Sequence, residues 1–152
     1  MTQMWEWVFG VVATIVATLL STADSALLAF HASETSSISD ADFVERERLH
    51  RALSLGRVLS YIAAGAAFAQ GLQLEATPMA TRIVVVALVG IAVCTVSEGV
   101  GRAIGYSKPA ATHARLAGVS RLIALLLRPA VALGAAIDRG LLVVIPPTPA
   151  NA

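Results

Sequence analysis

Asp24, Arg57 and Glu98 each stand inside a stretch of this chain that is otherwise almost free of charge. Glu98 closes the most apolar of these stretches, residues 83–100 (IVVVALVGIAVCTVSEGV), eighteen residues with a single charge. A run of that length covers most of a membrane crossing. An ionised side chain at lipid depth costs roughly 2.5–3.5 kcal/mol on insertion scales unless other protein groups compensate it. Two acids and one arginine at a similar depth in three runs therefore point to a polar site assembled between helices. Its chemistry is that of carboxylates: binding a cation, or pairing with the guanidinium.

Three helices have to carry these groups, predicted at about 7–30, 52–72 and 82–104. Trp5 and Trp7 open the first, where indole rings favour the membrane–water boundary. Thr14, Thr18, Ser21 and Ser25 recur along it at spacings of 4, 3 and 4, which places small hydroxyls on one face. Such a face packs against other helices, and its hydroxyls find partners across the contact. A packing seam alone does not require Asp24, one turn from Ser21. In the second helix Gly56, Ser60, Ala63, Ala67 and Gly71 form a similar face. Arg57 beside it either snorkels to headgroups on its long stem or pairs with Asp24 or Glu98. The third helix repeats the pattern through Ala87, Gly90, Cys94, Ser97 and Gly101. Cys94 fills space in that seam.

Residues 31–51 (HASETSSISDADFVERERLHR) are the one strongly polar stretch. They are expected to form a loop, then a short helix through ERERLHR capped by Asp40 or Asp42. His31 and His50 within it lack partners at metal spacing and are expected to be solvated. Pro78 breaks the chain between the second and third helices. Gly99, Gly101 and Gly105, followed by Pro109, are expected to interrupt the third. Beyond it, segments at about 110–128 and 130–145 alternate apolar residues with Arg115, Arg121, Arg128 and Arg139 around Pro129. A fourth span from Leu116 to Ile137 would force Arg121 and Arg128 into lipid depth, and these two arginines with the central Pro129 favour amphipathic helices lying in the interface instead. Residues 146–152 form a Pro-rich tail or linker.

The fold class expected is thus an all-α membrane protein, with three transmembrane helices followed by amphipathic juxtamembrane helices, as one domain over residues 1–145. With 152 residues, 57% hydrophobic and 14% charged, the chain is too apolar for an ordinary soluble domain of this size. A net charge of +1 and the lack of a basic stripe speak against nucleic acid. One cysteine permits no intrachain disulfide. The N-terminus lacks the basic segment of a cleaved secretory signal, so the first helix is expected to be retained. Nine basic residues fall on the side of residues 31–51 and the C-terminus, against Arg82 alone on the other. The positive-inside rule then puts the N-terminus outside and the C-terminus in the cytoplasm. Ten arginines against one lysine suit a GC-rich bacterial genome, hence a bacterial plasma membrane. The partners expected are the lipid bilayer and a second copy, or a larger assembly, joined through the small-residue faces. No Ser/His/Asp set, HExxH motif or phosphate loop is present, and His113 has no evident partner, so an enzyme is not expected.

Three short motifs resemble a known family. Ser21-Thr22-Ala23-Asp24-Ser25-Ala26-Leu27 resembles the Ser-Gly-Ser-Glu-Thr-Ala-Leu motif in the first helix of the CNNM/CorC magnesium transporters. Leu55-Gly56-Arg57-Val58-Leu59 is similar to that family's Ile-Gly-Asn-Asn-Leu, and Ser97-Glu98-Gly99-Val100-Gly101-Arg102 to its Gly-Glu-Ile-Leu-Pro-Lys. The resemblance covers about residues 8–137. It implies a dimeric domain of three membrane helices with a juxtamembrane belt, binding a divalent cation between the helices ahead of a cytoplasmic CBS pair. Ser21, Asp24, Gly56 and Glu98 would then line the site, with Ser25 and Ser97 nearby and Asp24 and Glu98 as the metal ligands. Hard oxygens of this kind suit Mg2+.

The departures matter equally. Arg57-Val58 stands where the family has Asn-Asn, which removes amide oxygens and installs a permanent charge that repels a dication. Two functions follow as expectations: a magnesium-binding or transport domain, or a non-transporting scaffold or accessory subunit in which Arg57 replaces the cation.

Overall fold

The first proline of the chain is Pro78, and each internal proline stands where a helix begins. In the computed structural model, which describes residues 2–33, 40–74 and 77–144, the elements are α1 (Thr2–Ser33), α2 (Asp40–Gly71), α3 (Met79–Ser107), α4 (Pro109–Leu126) and α5 (Arg128–Val144). Pro78 is the residue before α3 and Pro109 opens α4, while Pro129 falls in the first turn of α5. These are positions where the missing N–H costs no helical hydrogen bond. The Ser/Thr-rich stretch 34–39, the Pro-rich tail and the side chains of His31, Asp40 and Asp42 lie outside the described residues.

The fold is all-α. Three helices carry segments long and apolar enough to cross a membrane: Met4–Phe30, Phe43–Gly71 and Met79–Ser107. The helices run further than the sequence suggests. The ERERLHR segment is not a separate short helix: it forms early turns of α2, because nothing between Asp40 and Gly71 breaks a helix. Nor do Gly99, Gly101 and Gly105 interrupt α3.

That last correction has a packing cause. A glycine weakens a helix by about 1 kcal/mol, yet Gly101 and Gly105 are buried where α1 comes closest. A Cβ on Gly101 would stand 2.6 Å from Ser21 Cβ, and one on Gly105 would stand 2.8 Å from the Thr22 carbonyl oxygen. The glycines let two backbones touch, as small residues do at membrane helix contacts. Ser21 against Gly101 and Ser25 against Gly105 set α1 and α3 parallel. Trp7 against Phe68, with ring centroids 5.6 Å apart, and Asp24 against His50 set α1 and α2 antiparallel. Helix α1 is therefore the central element, flanked by the other two.

The small-residue faces are only partly used. On α3 the buried positions are Ser97, Gly101 and Gly105, whereas Ala87 is exposed and Gly90 and Cys94 are half-buried. On α2 Gly56 and Gly71 of the expected face are buried, whereas Ser60 and Ala67 are half-buried and Ala63 is exposed, with Ala64 buried beside it. Most threonines of α1 do not reach across either. Thr14, Thr18 and Thr22 donate to the carbonyls of Gly10, Thr14 and Thr18 at 2.8–2.9 Å, satisfying their hydroxyls within the helix.

Helix α4 folds back along the bundle. His113 near its start stacks on Phe30, with centroids 5.4 Å apart and planes 13° apart, so His113 does have a partner. Leu116 and Ile123 pack on the core of Leu20, Ala23, Leu27 and Leu53. Leu127 ends the helix against Gly56. There the chain bends by 63° into α5, which rules out a straight fourth rod.

Candidate functional site

Asp24 and Glu98 reach the same point from the two parallel helices, and Arg57 of α2 lies between them. Its Nη1 is 3.1 Å from Glu98 Oε1 and 3.4 Å from Asp24 Oδ2. Of the two alternatives for Arg57, the ion pair is the one observed, and it engages both acids. The side chains of Asp24, Arg57 and Glu98 are 5%, 16% and 21% exposed, so charges are enclosed that water would otherwise solvate. Enclosed charges persist only when paired and hydrogen-bonded.

Further donors complete the shell. Tyr61 donates its hydroxyl to Glu98 Oε1 at 2.8 Å, and Ser21 donates to Oε2 at 3.4 Å. Arg102, one turn beyond Glu98, brings Nε to 3.3 Å from Oε2. Asp24 accepts from His50 Nδ1 at 2.6 Å. All three long apolar helices thus contribute: α1 with Ser21 and Asp24, α2 with His50, Arg57 and Tyr61, and α3 with Glu98 and Arg102. Two carboxylates face two guanidinium groups, so the formal charges balance without an added ion.

The remaining candidates divide. Ser25 is buried but packs against Gly105. Gly56 belongs to the apolar packing: the place of its absent side chain is closed by Leu20, Ile123 and Leu127, and its carbonyl accepts from Ser60 at 2.9 Å. Ser97 is fully buried, and its hydroxyl makes no hydrogen bond. His50, expected to be solvated, is instead a cluster member. The spacing carried the signal: His50, Arg57 and Tyr61 are seven and four residues apart, one face of a helix. Beginning the second helix at residue 52 hid it.

Among the described residues no three His, Cys, Asp or Glu side chains are grouped so as to hold a metal ion. The position between the two acids is taken by a guanidinium nitrogen, a fit for a monovalent planar donor. Set against models of known families, curated proteins and solved structures, the chain matches none. The likeness to the CNNM/CorC transporters is thus carried by the three short motifs alone.

Proposed function

We propose that this chain is an integral membrane protein of the scaffold or accessory-subunit kind, whose three spans are held in register by an internally neutralised ion cluster. The observation that carries this is Arg57, placed within 3.4 Å of both Asp24 and Glu98, where a transport site would need room for its cation. Trp5, Trp7 and Arg82 mark the outer boundary, and Arg51 and Arg102 the inner one, with the N-terminus outside a bacterial plasma membrane. On that placement the cluster lies just inside the cytoplasmic edge of the hydrocarbon.

A second reading rests on the convergence of Ser21, Asp24 and Glu98, whose oxygens suit Mg2+, and on the CNNM/CorC-like motifs. In it the domain is a magnesium-transporting homodimer, and Arg57 swings aside when the ion enters. Thermal unfolding of the detergent-purified chain, with and without millimolar magnesium, separates the two. The scaffold reading expects an unchanged midpoint in the native chain and no magnesium flux into proteoliposomes. A midpoint raised by magnesium, and lost in Glu98→Ala, would overturn it in favour of transport.

A further inference from the structure

The outer face of α4 is the strongest feature that the ion cluster leaves unused. Residues 99–137 contain Arg102, Lys108, Arg115, Arg121 and Arg128 and no Asp or Glu. Arg102 is engaged by Glu98, but Lys108, Arg115, Arg121 and Arg128 are exposed. Among the described residues none of the ion pairs involves these four. The rotation of α4 is fixed, because Leu116 and Ile123 pack on the core and Ser120 is buried. Leu122, Leu125 and Leu126 are thereby left exposed on the same helix as Arg115 and Arg121, with Arg128 just past its end. Guanidinium groups beside an uncovered apolar surface match a molecule with an anionic head and hydrocarbon chains. Arginine takes phosphate oxygens in a two-pronged grip.

We infer that the outer face of α4, continued by Arg128 at the start of α5, binds anionic phospholipid, with Arg115, Arg121 and Arg128 on headgroup phosphates and Leu122, Leu125 and Leu126 against the acyl chains. Charge complementarity selects this occupant: a face with no acid attracts a net-negative headgroup over a zwitterionic one. The inference rests on the membrane placement proposed above and is independent of what the ion cluster does.

Native mass spectrometry of the detergent-purified full chain, offered equal amounts of phosphatidylglycerol and phosphatidylcholine, tests it. The native protein is expected to retain phosphatidylglycerol preferentially. That preference falls roughly fivefold per arginine removed in R115Q, R121Q and R128Q, and persists in R82Q at the opposite end of the bundle. Single variants are measured beside the triple, so a triple that fails to fold leaves the test intact. Equal retention of both lipids by the native chain overturns the inference, as does a preference unchanged in all three variants. So does a change in oligomer mass instead of lipid load, which would assign the face to a second copy. Release of the chain from membranes by alkaline carbonate would sink the membrane placement itself, a separate failure.

Discussion

His50 Nδ1 lies 2.6 Å from Asp24 Oδ1, joining the most enclosed carboxylate of the cluster to an imidazole whose side chain is 42% exposed. Asp24 is thus held from two directions, by His50 and by Arg57, about two turns further along the same face of α2. His50→Ala is expected to cost about 1–2 kcal/mol, the low end for a hydrogen bond to a charged group, because the histidine is partly open. Denaturant titration in detergent checks this, and Asp24→Asn in the same background should remove most of the further effect of losing His50.

Arg57 has no substitute for its two contacts. Arg57→Met leaves two enclosed carboxylates facing each other, and its expected cost is roughly 3–5 kcal/mol. Adding Asp24→Asn and Glu98→Gln to that variant should restore much of the loss. A triple variant no more stable than Arg57→Met would show that the cluster does not hold the helices together.

The Tyr61 hydroxyl is a smaller contributor. Tyr61→Phe is expected to lower stability by about 1 kcal/mol. A double-mutant cycle with Glu98→Gln reads the coupling between the two, and independent additive effects would contradict the 2.8 Å bond.

Gly101 and Gly90 offer a matched comparison on one helix. A Cβ at Gly101 meets Ser21 and the Thr18 carbonyl oxygen at 2.6–3.0 Å, whereas Gly90 has nothing within 4 Å. Gly101→Ala should therefore destabilise by about 1–3 kcal/mol through overpacking, while Gly90→Ala should be neutral or mildly stabilising. Thermal midpoints of the two variants decide it.

Gln73 closes α2 with φ 47°, the sole non-glycine positive φ among the described residues. That region costs an L-residue roughly 1–2 kcal/mol, so Gln73→Gly should raise the unfolding midpoint.

The long apolar helices were legible in the sequence because long apolar runs and prolines are local signals, and Asp24, Arg57 and Glu98 stood out because charge in such runs is rare. What stayed hidden depended on partners. Helix α2 reaches back to Asp40 through a stretch too polar to read as membrane helix, so His50 reads as part of a separate short helix and its shared face with Arg57 stays hidden. Tyr61 carries no charge and gave no alarm. Gly101 and Gly105 read as helix breakers until the neighbour they admit was known. Gly56 and Ser25, matched by motif, turned out to be packing residues, since a motif fixes position along a helix but not which neighbour it faces.

The central position of α1 has a consequence for how the protein is made. Helix α1 precedes α2 and α3 in the chain, and it contains no Lys or Arg to neutralise Asp24. Its counter-charge arrives with Arg57, and Glu98 follows forty-one residues later still. A nascent chain halted before residue 57 holds Asp24 with His50 at most and without its guanidinium, so α1 depends on synthesis of α2 for its permanent counter-charge.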